Sequence, residues 1–596
     1  MIKCKIIGFL FGLTVLFLSP AAQFAGPKPN VLFVITDDQG YGDLSCHGNP
    51  VLKTPCLDRL YSQSIRFTNF HVAPVCTPTR AAIMSGRYPM RGGISSTIGG
   101  ESLLRNDGPA MADFFRESGY RTAMFGKWHL GENAPCRPED RGFEHVIRLG
   151  GGGIVQTPDA WNNTYFNDRY TTNGKLRRYR GYCTDVFCHE AMSWIKSVKD
   201  KPFFVYLSLN APHAPFNVAG KYSKPFRDAK VPELVANFYG MIVNIDENIG
   251  RLMAFLGDNG LEENTILIFT TDNGSAAGCS ARAKKVGWNG WDGGRRGSKG
   301  DVTEGGHNVP FFIRWPGGGL GNPRDIDALT AHIDLLPTFI DICGLKNLTH
   351  QPFDGRSIRP LLEKREAEWP ERTLFTGIGR RWAVMTDRWR LVTGNAKAGK
   401  WDLYDIKKDP HQDRNVAGEY PEIVGDLAGR WKKWYDDAHC GTRERVAIRI
   451  GDKRENPAVI TAHDWAFEDV PEYSNAKHNV PWNQFEIKKM PWVNGTWTIQ
   501  VAVDGRYEFT LCSMPYEAKY PLTAKKAKLV IGDKEYSRKI EPEWVGSFNN
   551  VFKNAASTAR FTVDLKKGRT TLRTSLVEQG GRERGAFYVY VKRLEK

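Results

Sequence analysis

The sequence predicts an α/β protein built on a large mixed sheet flanked by helices, followed by a small α+β subdomain and an appended all-β sandwich. Three observations predict it. From Asn30 to about residue 345, short β-rich runs recur without alternation, as strands buried on both faces require. Amphipathic segments with helical spacing separate them, which argues for a sheet wrapped by helices. From residue 483 onward, apolar and polar residues alternate between turn residues, the pattern of a sandwich.

The buried-strand runs are VLFVI (31–35), YRTAMF (120–125), FFVYLSL (203–209) and TILIF (265–269). Between them PAMADFFRESG and NFYGMIVNIDENIGRLMAFLGDNG read as helices, the second stopping at Gly260, a residue suited to a helix C-terminus. From Arg372 to Asp437 the short strands TLFTGI, RWAVMTD and WRLVTG, then WDLYDIKKDP, precede a helix near Pro421 to Tyr435. A polar, proline-containing stretch reads as a linker. WTIQVAV, YEFTLCS, AKLVIGD, RFTVDLKKG, TTLRTSL and AFYVYVKR follow as sandwich strands. The expected organisation is a leader at 1–25, an α/β domain at 26–370, the subdomain at 371–440, the linker at 441–482 and the sandwich at 483–596.

With 41% hydrophobic and 25% charged residues over 596 positions, the composition excludes a disordered chain or a small disulfide scaffold. Lys plus Arg number 82 against 66 Asp plus Glu, a net charge of +16 that favours anionic partners. The basic residues are dispersed and no run reads as a nucleic-acid arm, so no nucleic-acid partner is expected. Lys3 and Lys5, an apolar run from Ile6 to Leu18 and the small residues Ala21, Ala22 and Ala25 have the layout of a secretory signal peptide. The run is short for a membrane span, so a secreted or periplasmic chain without stable membrane insertion is expected after cleavage. Cysteines beyond Cys4 are irregularly spaced and match no zinc pattern.

In open α/β sheets, ligands bind beyond the carboxyl ends of the strands. Here VLFVIT runs into Asp37 and Asp38, TILIFTT into Asp272 and Asn273, YRTAMFG into Lys127 and His129, and FFVYLSLNAP into His213. Three carboxylates and an amide at one edge form an oxygen cluster that repels itself unless a cation occupies it, and a hard divalent ion, calcium or magnesium, suits such donors. His213, between prolines in APHAP, is placed to act as acid or base. In VCTPTRAAIMSGRYP, Cys76 and Arg80 stand where a helix begins, a setting that stabilises anions.

These residues resemble the formylglycine-dependent (type I) sulfatases of the alkaline phosphatase superfamily. The resemblance rests on Cys76-Thr77-Pro78-Thr79-Arg80 and on Gly119-Tyr120-Arg121-Thr122 through Gly126-Lys127-Trp128-His129-Leu130-Gly131. It is supported by Thr36-Asp37-Asp38-Gln39-Gly40-Tyr41-Gly42, Pro212-His213-Ala214-Pro215, Thr271-Asp272-Asn273-Gly274, Lys299 ahead of Glu304-Gly305-Gly306, and Leu403-Tyr404-Asp405, in family order over residues 28 to 437. The final β-rich segment lies outside it. Thr79 stands where the signature more often has Ser, Thr303 where Tyr commonly precedes Glu-Gly-Gly, and His307-Asn308 where an aliphatic-Arg pair is usual. The last two changes fall beside Lys299 and bear on substrate preference.

The resemblance implies an alkaline phosphatase-like fold and sulfate-ester hydrolysis. It implies that a maturation enzyme oxidises Cys76 to formylglycine, whose hydrated aldehyde supplies one hydroxyl to attack sulfur and a second to expel sulfate, so that no water attacks a second ester. It implies calcium held by Asp37, Asp38, Asp272, Asn273 and the residue at 76. Arg80 and Lys127 would steady the diol and sulfate, His129 would take a diol proton, and His213 and Lys299 would meet the sulfate and the leaving oxygen. Export, basic balance and the loop VGWNGWDGGRRGSKG point to a sulfated carbohydrate, with Trp288 and Trp291 for stacking, Arg295 and Arg296 for an anion, and His307 beside them. The alternatives are a phosphomonoesterase or phosphonate monoester hydrolase of the same superfamily, and a catalytically silent carbohydrate-binding relative.

Overall fold

The computed structural model of the chain describes residues 27–364, 368–440, 444–467, 480–520, 522–540 and 558–594. The expected leader and part of the expected linker lie outside these residues. A ten-stranded sheet forms the centre, in the order Arg324–Ile326, Ile65–Phe67, Phe311–Arg314, Thr265–Thr271, Asn30–Thr36, Phe203–Ser208, Arg121–Gly126, His145–Arg148, Arg169–Thr172 and Lys175–Arg178. The four strands read from the sequence are contiguous and parallel, with Thr36 paired to Thr271, Ile35 to Ser208 and Ser208 to Gly126. That register brings their carboxyl ends together.

Both faces of these strands are covered, which is why they read as unbroken apolar runs. Val31, Phe33 and Ile35 pack into a core shared with Phe114 and Phe115 of helix Met111–Glu117 and with Leu336 and Phe339 of helix Leu335–Ile342. Leu32 and Val34 face the other side, against Phe187 of helix Cys183–Val198 and Met241, Ile245 and Leu252 of helix Glu233–Asp258. The outer strands run antiparallel to their inner neighbours or are short, and the sequence reading missed them. Lys175–Arg178 is exposed at all four positions and has no apolar pattern. It forms because Asn173 and Gly174, both at positive φ, turn the chain back on Arg169–Thr172.

Next come a four-stranded antiparallel sheet, Leu374–Ile378, Arg381–Met385, Trp389–Thr393 and Asp402–Asp405, and helix Pro421–Ala438. The C-terminal module then stacks two sheets. One contains Ile448–Ile450, Thr496–Val501, Gly568–Val577, Lys526–Ile531 and Lys534–Lys539; the other contains Ala458–Thr461, Tyr588–Leu594, Gly505–Cys512 and Ala559–Leu565. Trp497, Tyr507, Phe509, Leu529, Leu572 and Val589 fill the space between. The expected linker is corrected in part: Ile448–Ile450 and Ala458–Thr461 are sandwich strands. They are too short, in a polar and proline-containing context, to show a period.

Candidate active site

The strand ends build the site. Asp37 follows Asn30–Thr36, and Asp272 follows Thr265–Thr271 and donates its backbone N–H to Thr36 O at 3.1 Å. Asp38 sits at φ 70° and His129 at φ 59°. Asp and His are among the side chains that tolerate the left-handed region best, and residues held there cluster at functional sites. Helix Cys76–Ser85 begins on Cys76 and is buried through Met84. Pro78 falls in its first turn, where a missing N–H leaves no helix bond unmade. Arg80 lies one turn beyond Cys76, on the same face.

These charges are buried in pairs. Lys127 Nζ lies 2.7 Å from Asp37 Oδ2, and Arg80 Nη2 lies 2.7 Å from Asp272 Oδ2, with all four side chains at 0% exposure. Lys299 Nζ reaches Asp38 Oδ1 at 2.5 Å. Asn273 Nδ2 donates to Asp38 Oδ1 at 2.9 Å, and the Asp38 N–H donates to Asp272 Oδ1 at 3.0 Å. Burial, then the charge of Asp272, pushes Asp37 well above the usual carboxylate range. Burial acts the same way on Asp38, but Lys299, His213 and Lys127 outweigh it and hold Asp38 below that range. Opposite shifts in adjacent carboxylates mark a tightly coupled buried cluster, in which three carboxylates meet three cations.

Two oxygens in this cluster, Asp37 Oδ1 and Asn273 Oδ1, are buried with no hydrogen-bond partner. Ligand atoms of Asp37, Cys76 and Asp272 lie within 4.8 Å of one another, as do those of Asp37, Asp38 and His213. Orphaned oxygen donors among carboxylates fit a hard divalent cation. Asn273 also begins an Asn-Gly-Ser glycosylation sequon, but at 0% exposure it is closed to sugar.

The two site histidines have assigned protons. His129 Nε2 is 3.0 Å from the Thr97 carbonyl, which only accepts, so Nε2 carries the hydrogen and Nδ1 presents a lone pair 3.4 Å from Cys76 Sγ. His213 Nδ1 donates to Ala214 O at 2.6 Å, leaving Nε2 as an acceptor 3.5 Å from Gln156 Nε2 and 3.7 Å from Asp38 Oδ2. Burial depresses both, His213 to about 3 and His129 well below its ordinary value, the latter aided by the Lys127 charge. Burial also pushes the Cys76 thiol up, against the pull of Lys127 and Lys299. An unmodified thiol there is protonated and a poor nucleophile.

All ten residues expected at the catalytic and metal centre therefore meet at one sheet edge. The expected substrate residues do not join them. His307 is 1% exposed, with Nδ1 3.0 Å from His71 Nδ1 and Nε2 3.2 Å from Val302 O; this placement corrects its assignment to substrate. The Glu304-Gly-Gly turn draws it inward, and Glu304 itself is locked to Arg390 at 2.6 Å. Trp288 is half-buried against the Ala283 and Phe238 cluster. Trp291 donates Nε1 to His47 O at 2.8 Å and remains 39% exposed. Arg295 lies over the Tyr41 ring, and Arg296 over that of Tyr404.

Sequence reasoning missed Thr97, Gly152 and Gln156. A Cβ on Gly152 would come within 2.3 Å of His129 Cε1, so glycine lets the backbone lie against the imidazole. The run of glycines at 150–153 was the available signal for such an approach.

The Sulfatase family model matches residues 29–345, and a model described as N-sulphoglucosamine sulphohydrolase, C-terminal, matches 299–434. Human arylsulfatase A is 30% identical over 487 residues, covering 69% of this chain and 89% of the relative. The N-acetylgalactosamine-6-O-sulfatase of Bacteroides thetaiotaomicron is 27% identical, covering 67% and 92%. Among solved structures, Ps i-CgsB in complex with k-i-k-neocarrahexaose superposes with a TM-score of 0.61 at 27% identity, covering 69% of this chain and 93% of that one. No described helix is long and apolar enough to cross a membrane. With the family model spanning more than half of the chain and the strand-end cluster assembled as described, the chain belongs to the sulfatase family and is a sulfuric ester hydrolase of the alkaline phosphatase superfamily.

Proposed function

We propose that the chain removes sulfate from a sulfated carbohydrate, using position 76 as the nucleophile. The observation that carries this reading is the setting of Cys76: first residue of a buried helix, facing the lone pair of His129, among carboxylates with orphaned oxygens. Oxidised to formylglycine by a maturation enzyme and then hydrated by one water, position 76 would offer two hydroxyls on one carbon, one for attack on sulfur and one for release of sulfate as the aldehyde re-forms. Asp37, Asp38, Asp272 and Asn273, with the residue at 76, would hold calcium, which when bound supplies positive charge against a sulfate oxygen.

The remaining roles follow from the side chains. His129 Nδ1 accepts the proton of a hydroxyl at position 76, while its Nε2–H stays on Thr97 and keeps the ring from turning. Lys127 and Arg80, each bound to a carboxylate, oppose negative charge that builds on the nucleophile and the sulfate. Lys299, its side chain 27% exposed, is the most open of these groups. Lys299 and His213 Nε2 both reach Asp38, and of these two one protonates the leaving oxygen while the other orients the ester.

The carbohydrate reading is supported by the relatives named as sugar sulfatases and by the half-exposed Trp291 beside the Arg295 and Arg296 loop. Export to the periplasm or medium is supported by the layout of Lys3, Lys5 and Ile6 to Leu18. The test is turnover of an aryl sulfate, an aryl phosphate and a panel of defined sulfated saccharides, with mass analysis of the peptide containing position 76. Sulfate release with an aldehyde at 76 is expected. Phosphate release alone, or turnover with an intact thiol, would overturn the reading.

A further inference from the structure

Residues 435–596 lie outside both family models, yet the C-terminal module reaches the groups that hold the two site histidines. Thr97, which fixes the proton of His129, sits in a segment gripped from the module: Gly99 N donates to His463 O at 2.8 Å, Arg445 Nη1 donates to Gly99 O at 3.3 Å, and Arg445 Nη2 meets Glu101 Oε1 at 3.2 Å. The segment carrying Gly152 and Gln156 is gripped separately. Thr157 N donates to Trp482 O at 2.8 Å and Gln484 N to Val155 O at 2.9 Å.

Gln484 extends this second grip with its side chain. It is 1% exposed; Oε1 accepts from Asn162 N at 2.9 Å, and Nε2 donates to Asp159 O at 3.1 Å and Ala160 O at 3.2 Å. Asp159 in turn accepts from Gly150 N at 3.3 Å and Val155 N at 3.1 Å, closing the loop that lies against His129 and His213. A third tie is Glu455, whose carboxylate accepts from Asn133 Nδ2 at 3.2 Å and Ala134 N at 2.8 Å, a few residues past His129. The interface is also apolar: Leu103 and Trp161 of the catalytic domain are buried in the sandwich core.

We infer that the C-terminal module is a working part of the active site, and that Gln484 and Arg445 are positioning residues that hold Gln156 and Thr97 against the catalytic histidines. A module that only covered the domain would need apolar contact and no particular alignment with the catalytic loops. Here the polar ties end on the segments that touch His129 and His213. A buried glutamine whose three bonds all go to backbone of the other domain is costly to leave unmade, so its bonding fixes that backbone in place. Small displacements of a catalytic base lower turnover steeply, because the reacting groups must already be in line.

The inference rests on the proposed roles of His129 and His213, and the experiment separates the two. In the full-length matured protein, Gln484→Ala and Arg445→Ala are compared with His129→Ala and with Asn494→Ala. Asn494 is a 2% exposed residue that bonds Thr574 O and Ser575 Oγ wholly within the module. With a small aryl sulfate well below each melting temperature, Gln484→Ala and Arg445→Ala are each expected to lower kcat by about tenfold or more, with KM and aldehyde content at position 76 retained. Asn494→Ala is expected to lower Tm and leave kcat unchanged. If Gln484→Ala and Arg445→Ala behave like Asn494→Ala, the module is a cover and the inference fails. If His129→Ala keeps full turnover, the proposed site chemistry fails instead. Should Gln484→Ala not fold, Arg445→Ala, on the separate Thr97 grip, carries the test.

Discussion

At the ends of the central strands, Asp37, Asp38, Arg80, Lys127 and Asp272 are at most 2% exposed, whereas the sandwich keeps its cross-strand pair Arg506–Asp564 at 62% and 71% exposure. Both regions have apolar cores, and both are built of β-strands. A buried ion pair repays its desolvation only with good geometry and further hydrogen bonds, and replacing it by apolar residues is often neutral or stabilising. Exposed pairs contribute little either way. Buried charge also occurs outside the site, as in Glu304–Arg390, but at the strand ends it comes with orphaned oxygens and a nucleophile position, and that combination marks the site.

The sharpest way to break that comparison is at the nucleophile. Cys76→Ser retains a hydroxyl in the same setting but lacks the second hydroxyl needed to release sulfate. Rapid-quench assays with an aryl sulfate should show at most one equivalent of product, and steady turnover should fall by roughly 10^3-fold or more. Sustained turnover by the serine variant would remove the reason for an aldehyde at position 76.

The next effect concerns the strand-end carboxylates. Chelation of the purified protein should abolish activity and lower Tm, because Asp37 Oδ1 and Asn273 Oδ1 are then left buried without a partner. Added calcium should restore both. Asp272→Ala leaves Arg80 buried without its carboxylate and should cost about 3–5 kcal/mol in denaturant unfolding. A chelator that leaves Tm and activity unchanged would mean that the cations of the chain suffice.

Why the sequence exposes one region so much better than the other follows from the same physics. Asn30–Thr36 and Thr265–Thr271 are buried at every position, so their runs are apolar throughout and the first charged residue after each stands out. Asp37, Asp272, Lys127 and His213 were legible for that reason. Thr97 and Gln156 act through a carbonyl and an amide placed by loop geometry, which leaves no period. His463, Gln484 and Arg445 act across a domain interface, and nothing in a linear pattern says which loop a sandwich will rest upon. His307 illustrates the converse error: its neighbours in sequence suggested substrate, but a histidine packed on His71 and bonded to a backbone carbonyl is structural.

A smaller effect tests burial away from the catalytic charges. His332 is 3% exposed, neither ring nitrogen has a partner, and burial holds it down at about 3. Folded, the ring stays neutral; unfolded, it takes a proton near its ordinary value of 6.5. Its contribution is therefore full above pH 6.5 and is lost as pH falls toward 3, at up to about 1.4 kcal/mol per pH unit. Urea midpoints measured between pH 7.5 and 5 should fall for the wild type and fall less for His332→Leu. Parallel curves would show that the cavity around the ring admits enough water to charge it.

The smallest effect is expected on the sandwich surface. Arg506 Nε lies 3.1 Å from Asp564 Oδ1 across neighbouring strands, a geometry as good as many buried pairs, but both side chains face solvent. Water and salt already stabilise each charge there, so Arg506→Ala should leave Tm and kcat unchanged and should respond no differently to added salt than the wild type. A clear loss of stability would contradict the division drawn above, because it would place an energetically significant ion pair in the region where charge is exposed. Equal results for Arg506→Ala and Asp564→Ala, set beside a large cost for Asp272→Ala, would show that desolvation and not the number of ion pairs separates the two regions.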